Sequence, residues 1–204
     1  MNASARAWRP RRKAARACQG GATLIEVLIS VVILLVALLG AAGMMVRSNQ
    51  TEMESYQRVQ ALTLLQDMAT RLNANRQVAS CYAVAGTMTT AGTGGISAPG
   101  CTSGTAAQQA TVAADLAAWN SALLGNAEQG TAASGTVALG AMIGARGCIE
   151  AIDTVNQIYR VTVAWQGLVK TVAPSLPCGG GNSNFGDDAY RRAISVQVRI
   201  GVLS

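Results

Sequence analysis

The chain has 204 residues, a balance of 16 Lys and Arg against 10 Asp and Glu, five cysteines, one phenylalanine and no histidine. The absence of histidine removes the commonest general base and metal ligand, and the net charge of +6 raises nucleic-acid binding only until it is located along the chain. Residues 1–21 hold six of the sixteen cations (Arg6, Arg9, Arg11, Arg12, Lys13 and Arg16) and no acid, so residues 22–204 carry ten of each sign and are neutral.

The first predicted element is therefore a basic leader, residues 1–21, ending in Gln19-Gly20-Gly21. No folded basic patch accompanies it, so targeting accounts for the charge better than nucleic-acid binding. An apolar run from Ala22 to Val46 follows. As a helix, its twenty-five residues rise roughly 37 Å, enough to cross a hydrocarbon layer of roughly 30 Å. Basic residues ahead of such a span are the positive-inside pattern: the leader is expected on the cytoplasmic side of the inner membrane and everything after Val46 on the other, periplasmic side. Glu26 is the one charge inside the run. A carboxylate near the middle of a span costs roughly 2.5–3.5 kcal/mol, less near an edge, so its presence needs a reason.

The helical pattern continues through a polar half, residues 47–80, since no proline intervenes between Ala22 and Ala98. Tyr56, Val59, Leu62, Leu65, Ala69 and Leu72 recur at three- and four-residue steps beside Glu52, Arg58, Asp67 and Arg71, which predicts one apolar stripe available to cover a domain. Gly40 and Gly43 weaken the helix where lipid gives way to water.

Residues 81–204 form the predicted globular domain. A Gly-, Thr-, Ser- and Ala-rich stretch from Ala85 to Thr105 reads as loop. A helix is expected near residues 106–125 from Val112, Leu116, Trp119 and Leu123, with Trp119 in the core and Gly125 placed to end it. A second linker runs from Asn126 to about Thr136. Tyr159, Val161, Val163 and Trp165 alternate with Arg160, Thr162, Ala164 and Gln166, the pattern of a half-buried strand, and Ile194, Val196, Val198, Ile200 and Val202 repeat it. Weaker strand candidates lie at Val137–Ile143 and Cys148–Ile152. The expected architecture is α+β: a long N-terminal helix packed against a small antiparallel sheet of three to five strands.

Cys81, Cys101, Cys148 and Cys178 form an even set beyond the span, whereas Cys18 lies in the leader. Two disulfides are expected in an exported domain. Three pairings are open; Cys81 with Cys101 and Cys148 with Cys178 are favoured because both close short local loops. The spacings lack C-x-x-C, which argues against a zinc site, and no metal or cofactor is expected. Gly179-Gly180-Gly181-Asn182 lacks the lysine and the strand-to-helix frame of a phosphate loop. Asp187 and Asp188 read as solvated loop carboxylates, with Arg191 or Arg192 able to pair with them. No nucleophile stands in a recognisable setting, so no enzymatic function is expected.

Gly21-Ala22-Thr23-Leu24-Ile25-Glu26-Val27 carries the rest of the functional reading. Thr23 and Glu26 match an S/T-x-x-E capping box, worth typically about 1 kcal/mol, which does not clearly outweigh the cost of an acid entering an apolar layer. The segment also resembles the type III signal of type IV pilins, in which a basic leader ends in glycine and glutamate is the fifth mature residue. That resemblance implies cleavage by prepilin peptidase between Gly21 and Ala22, N-methylation of Ala22, and a filament-assembly role for Glu26 opposite the new α-amino group of a neighbouring subunit. Ala22 departs from the usual phenylalanine. Leu38-Leu39-Gly40-Ala41-Ala42-Gly43, Asp67 to Arg76, Tyr159 to Trp165, Cys178-Gly179 and Arg191-Arg192 resemble the PilV family of minor pilins. The implied partners are the major pilin and other minor pilins, and the implied location is the inner membrane followed by a type IV pilus or the cell surface. A pseudopilin of a type II secretion system shares the signal and the helix. A periplasmic enzyme or binding domain is the more distant alternative, carried either by an uncleaved membrane anchor or by a conventional secretory signal that would be cut near Ala42. The apolar run is longer than the 7–15 residues usual in such signals.

Overall fold

The computed structural model describes residues 21–126, 129–132, 135–138, 142–181 and 185–201. Residues 1–20 of the leader, including Cys18, lie outside this set, as do Asn182 and Val202. The described chain divides into two units, one ending at Val46 and one beginning at Arg47.

In the first unit the residues from Leu24 onward are the opening half of helix α1 (Leu24–Ala74). Leucine, isoleucine, valine and alanine dominate it, and every residue from Gly21 to Val46 is exposed. It is the one helix among the described residues long and apolar enough to cross a membrane.

The second unit begins with the other half of α1, which buries Gln57, Ala61, Leu65, Met68 and Leu72. These steps of four, four, three and four residues keep one face toward a core shared with α2 (Ala106–Leu123) and the sheet. The predicted stripe is thus corrected in its first half: Tyr56, Val59 and Leu62 are 50%, 60% and 41% exposed. Successive three-residue steps fall back about 60° each around a helix, so those residues turn away from the face that Leu65 and Leu72 occupy. At Asn75 the α-helix gives way to a 3₁₀ segment, Arg76–Cys81. The helix therefore stops short of residue 80.

The remaining strands are β1 (Thr89–Gly92), β2 (Gln129–Ala132), β3 (Gly135–Ala138), β4 (Ile143–Asp153), β5 (Ile158–Gln166) and β6 (Arg191–Arg199). An antiparallel four-stranded sheet has the order β1-β4-β5-β6, and β2 with β3 forms a separate hairpin. The hairpin occupies part of the stretch read as linker, and β1 lies in the stretch read as loop. Val161 faces Ile149 on β4 and Val196 on β6. Together with the helices, this sheet gives the α+β architecture of a long apolar-to-amphipathic helix packed, through its second half, on a small antiparallel sheet.

Trp119 is the keystone of the core. It is fully buried, and its indole N–H donates to Leu64 O of α1 at 2.9 Å. Its ring lies against Gly147 of β4 so closely that a Cβ there would stand 2.2 Å from the ring. A capping box between Thr105 and Gln108 starts α2, and Gly125, at φ +71°, follows its end. The core thus binds α1, α2 and β4 at one point.

β5 is buried on both faces, a departure from the half-buried strand that its alternation predicts. Thr162 and Ala164 are 1% and 0% exposed. The chain between β5 and β6 crosses the outer face, where Cys148, Ala164, Cys178 and Phe185 make a second small core. Disulfides join Cys81 to Cys101 and Cys148 to Cys178, the latter pinning this crossing to β4.

Candidate functional site

The site begins before α1. Gly21, Ala22 and Thr23 are non-helical and exposed, so the Gly21–Ala22 peptide bond precedes the helix rather than lying inside it. Thr23 starts the helix: its carbonyl accepts from Glu26 N–H at 3.0 Å and Val27 N–H at 3.2 Å, and its hydroxyl accepts from Glu26 N–H at 3.4 Å. This is the forward half of the capping box. Among the described residues the Glu26 side chain makes no return bond to the backbone and enters no ion pair. The carboxylate thus stands exposed within the first turn, among Leu24, Ile25, Val27 and Leu28, all more than half exposed.

That turn holds an exposed acceptor in an apolar setting. A carboxylate at a helix N-terminus is favoured by the helix dipole, by roughly 0.3–1 kcal/mol when exposed. In lipid the same group loses its water, and a positive charge is one partner that offsets that loss. A cut at the Gly21–Ala22 bond would supply one, an α-amino group with a reference pKa of about 8, cationic at neutral pH and still basic after one methylation.

The other residues singled out from sequence serve structure. Arg191 is 2% exposed; it pairs with Asp188 at 2.6 Å and donates to the carbonyls of Pro174, Leu176 and Cys178. It thereby closes the chain that carries Cys178 over β5. The hydrogen bond from Arg191 holds the Asp188 carboxyl below its ordinary value, and Lys170, 2.8 Å from Asp187, does the same there. Gly179, beside Phe185, and Gly181 both have positive φ and form turns of this crossing. Arg192 reaches Glu54 of α1 at 3.2 Å.

A polar knot that the sequence reading missed locks the end of α1 to α2. Asp115 accepts from Arg71 and Asn75, each at 2.8 Å, and from the Tyr82 hydroxyl. Burial raises the Tyr82 pKa above its ordinary 10.0, and the hydrogen bond to Asp115 raises it further. Asp115 flanks the apolar stripe of α2 and its side chain is only 13% exposed, and no short-range spacing links it to Arg71. Among the described residues no group of three or more metal-ligating acids or cysteines gathers.

The described residues thus form an exposed apolar helix with one carboxylate in its first turn, continued into a disulfide-bonded α+β domain. Residues 16–42 match a family model described as the prokaryotic N-terminal methylation motif, and residues 43–118 match one described as type IV pilin Tt1218. The two matches adjoin and together support a type IV pilin. No curated protein and no solved structure matches the chain. β4, β5 and β6 lie beyond both matched segments.

Proposed function

We propose that the chain is a minor pilin of the PilV kind, cut by prepilin peptidase between Gly21 and Ala22, methylated at Ala22, and drawn from the inner membrane into a type IV pilus. Residues 1–21 are its leader, 22–46 its membrane half and 47–74 the amphipathic half of its long helix, and 81–204 belong to its globular domain, which faces the periplasm. Its role is interaction rather than catalysis, with the major pilin and other minor pilins as partners.

The observation that carries this reading is the exposed Glu26 carboxylate, one turn into an apolar helix and five residues past Gly21, inside the segment that matches the methylation motif. In an assembled filament the carboxylate meets the Ala22 amine of a neighbouring subunit. An ion pair removed from water is costly when mismatched, so it marks register between otherwise uniform apolar helices. Glu26→Leu, expressed with its own pilus machinery, is expected to reach the membrane as wild type does but to enter sheared pili several-fold less. Equal incorporation of both proteins sinks the register role.

A further inference from the structure

The four-stranded sheet has two edges, and they are finished differently. On β1 the backbone groups of Thr90 and Gly92, which face away from β4, have partners in their own chain. Thr90 N–H donates to Ser97 O at 2.8 Å, and Thr90 O accepts from Ser97 N–H at 2.9 Å. Gly92 N–H donates to the Asn120 side chain at 2.7 Å, and Gly92 O accepts from Gly95 N–H at 2.8 Å. That edge is closed.

The β6 edge is open. In an antiparallel pair, alternate residues turn both N–H and C=O toward the partner strand. Gly167 N–H donates to Tyr190 O at 2.8 Å and Ile200 N–H to Gln157 O at 3.0 Å, one bond just beyond each end of the β5–β6 ladder, which runs without a register shift. Even-numbered residues of β6 therefore bond to β5, and Ala193, Ser195, Gln197 and Arg199 turn their backbone groups outward. Among the described residues those groups have no backbone partner, and Ser195, Val196, Gln197 and Arg199 are exposed. Proteins guard such edges with charge, proline or a bulge. From Ala193 to Val198 β6 carries no charge, no proline and no glycine, and β6 is nine residues long where β1 is four. The outward donors and acceptors of such an edge suit another extended chain.

We propose that β6 takes a strand from a neighbouring subunit, which adds a fifth strand to the sheet along Ala193 to Arg199. This deepens the pilin reading and rests on it, since that reading supplies the neighbours. Side chains of the added strand alternate between the two faces as those of β6 do. On one face they lie beside Ile194, which packs on the main core, and Val196, which is 36% exposed, so aliphatic residues fit there. At the far end Arg199 enters no ion pair among the described residues, and an acidic residue fits beside it. A second copy fits less well: two β6 strands paired antiparallel about Ser195 set Arg199 of each opposite Arg191 of the other, cation to cation.

The test expresses the full chain with its own pilus machinery as wild type, Ser195→Ala and Ser195→Pro. It reads the amount in sheared pili and the thermal unfolding midpoint of the detergent-solubilised chain. Proline at 195 removes an N–H that the fold leaves unused, a change that edge strands tolerate, whereas alanine keeps the backbone intact. Ser195→Ala is expected to enter pili as wild type does, and Ser195→Pro several-fold less at an unchanged midpoint. Entry of Ser195→Pro at the wild-type level overturns the added strand alone. Absence of the wild-type chain from sheared pili overturns the pilin reading and the added strand with it. If proline lowers the midpoint, Ser195→Lys decides by the same criteria, because it keeps every backbone group and sets a charge on the edge. Slow amide exchange at Ser195 and Gln197 in the isolated chain assigns the edge to cover from the chain itself. A wild-type dimer in detergent that Ser195→Pro dissociates assigns it to a second copy, and either result overturns the proposal.

Discussion

The two halves of α1 share one backbone and differ in what they leave uncovered. From Leu24 to Val46 every side chain is exposed, and the apolar ones surround the helix. From Arg47 to Ala74 the helix has a buried face running through Gln57, Ala61, Leu65, Met68 and Leu72, with charged residues on its other sides. The first half is stable only in lipid or among other apolar helices, whereas the second has its cover within its own unit. Folding of the domain and the proposed filament assembly thus fall to separate stretches of a single element.

The contrast is broken most severely at Trp119. Trp119→Ala removes a fully buried ring and leaves Leu64 O without its donor, so the domain is expected to lose about 3–5 kcal/mol, read as a large fall in the thermal unfolding midpoint of the detergent-solubilised chain. An unchanged midpoint would place the core elsewhere.

Alkaline pH probes the same unit more gently. The Tyr82 pKa is raised in the folded state, first by burial and then by Asp115. A raised folded pKa contributes stability that is fully present below the unfolded value of 10.0 and is lost as pH rises through the folded value. Unfolding midpoints are therefore expected to fall above about pH 10, and less steeply in Tyr82→Phe than in wild type. Tyr159, whose pKa burial also raises, supplies a remaining part of that slope.

The smallest effect belongs to the exposed half. Leu34→Ala is expected to shift domain stability by no more than about 0.5 kcal/mol, since Leu34 is 61% exposed and belongs to the unit that ends at Val46. A shift comparable with that of Trp119→Ala would show that the apolar half helps to fold the domain after all.

How much of this was legible in the sequence differs along the chain for physical reasons. The apolar run and Glu26 are one-dimensional signals, a length and an interruption, and they read directly. The alternation in β5 and β6 and the spacing of Val112, Leu116, Trp119 and Leu123 are local periodicities, and they give the α+β architecture. The buried face of α1 was harder to read, because the fully buried Gln57 stands on it while Tyr56, Val59 and Leu62 do not. The outer cover of β5 was hidden as well, since it depends on Cys178 and Phe185 arriving from a distant crossing. Asp115 gave no local sign, because its partners lie in α1 and just beyond it, and of Arg191 only the pairing with nearby Asp188 was legible, not the carbonyls of Pro174, Leu176 and Cys178 that it also holds. Short edge strand β1 was masked by its Gly- and Thr-rich surroundings.

The central claim is that Glu26 is a carboxylate placed for an amine that cleavage creates. Intact-mass analysis of the protein recovered from a cell with its own prepilin peptidase tests this most directly. The account predicts a species beginning at Ala22 and carrying one added methyl group. A species that retains Met1, or one that begins near Gly43 at the far end of the apolar run, would contradict it.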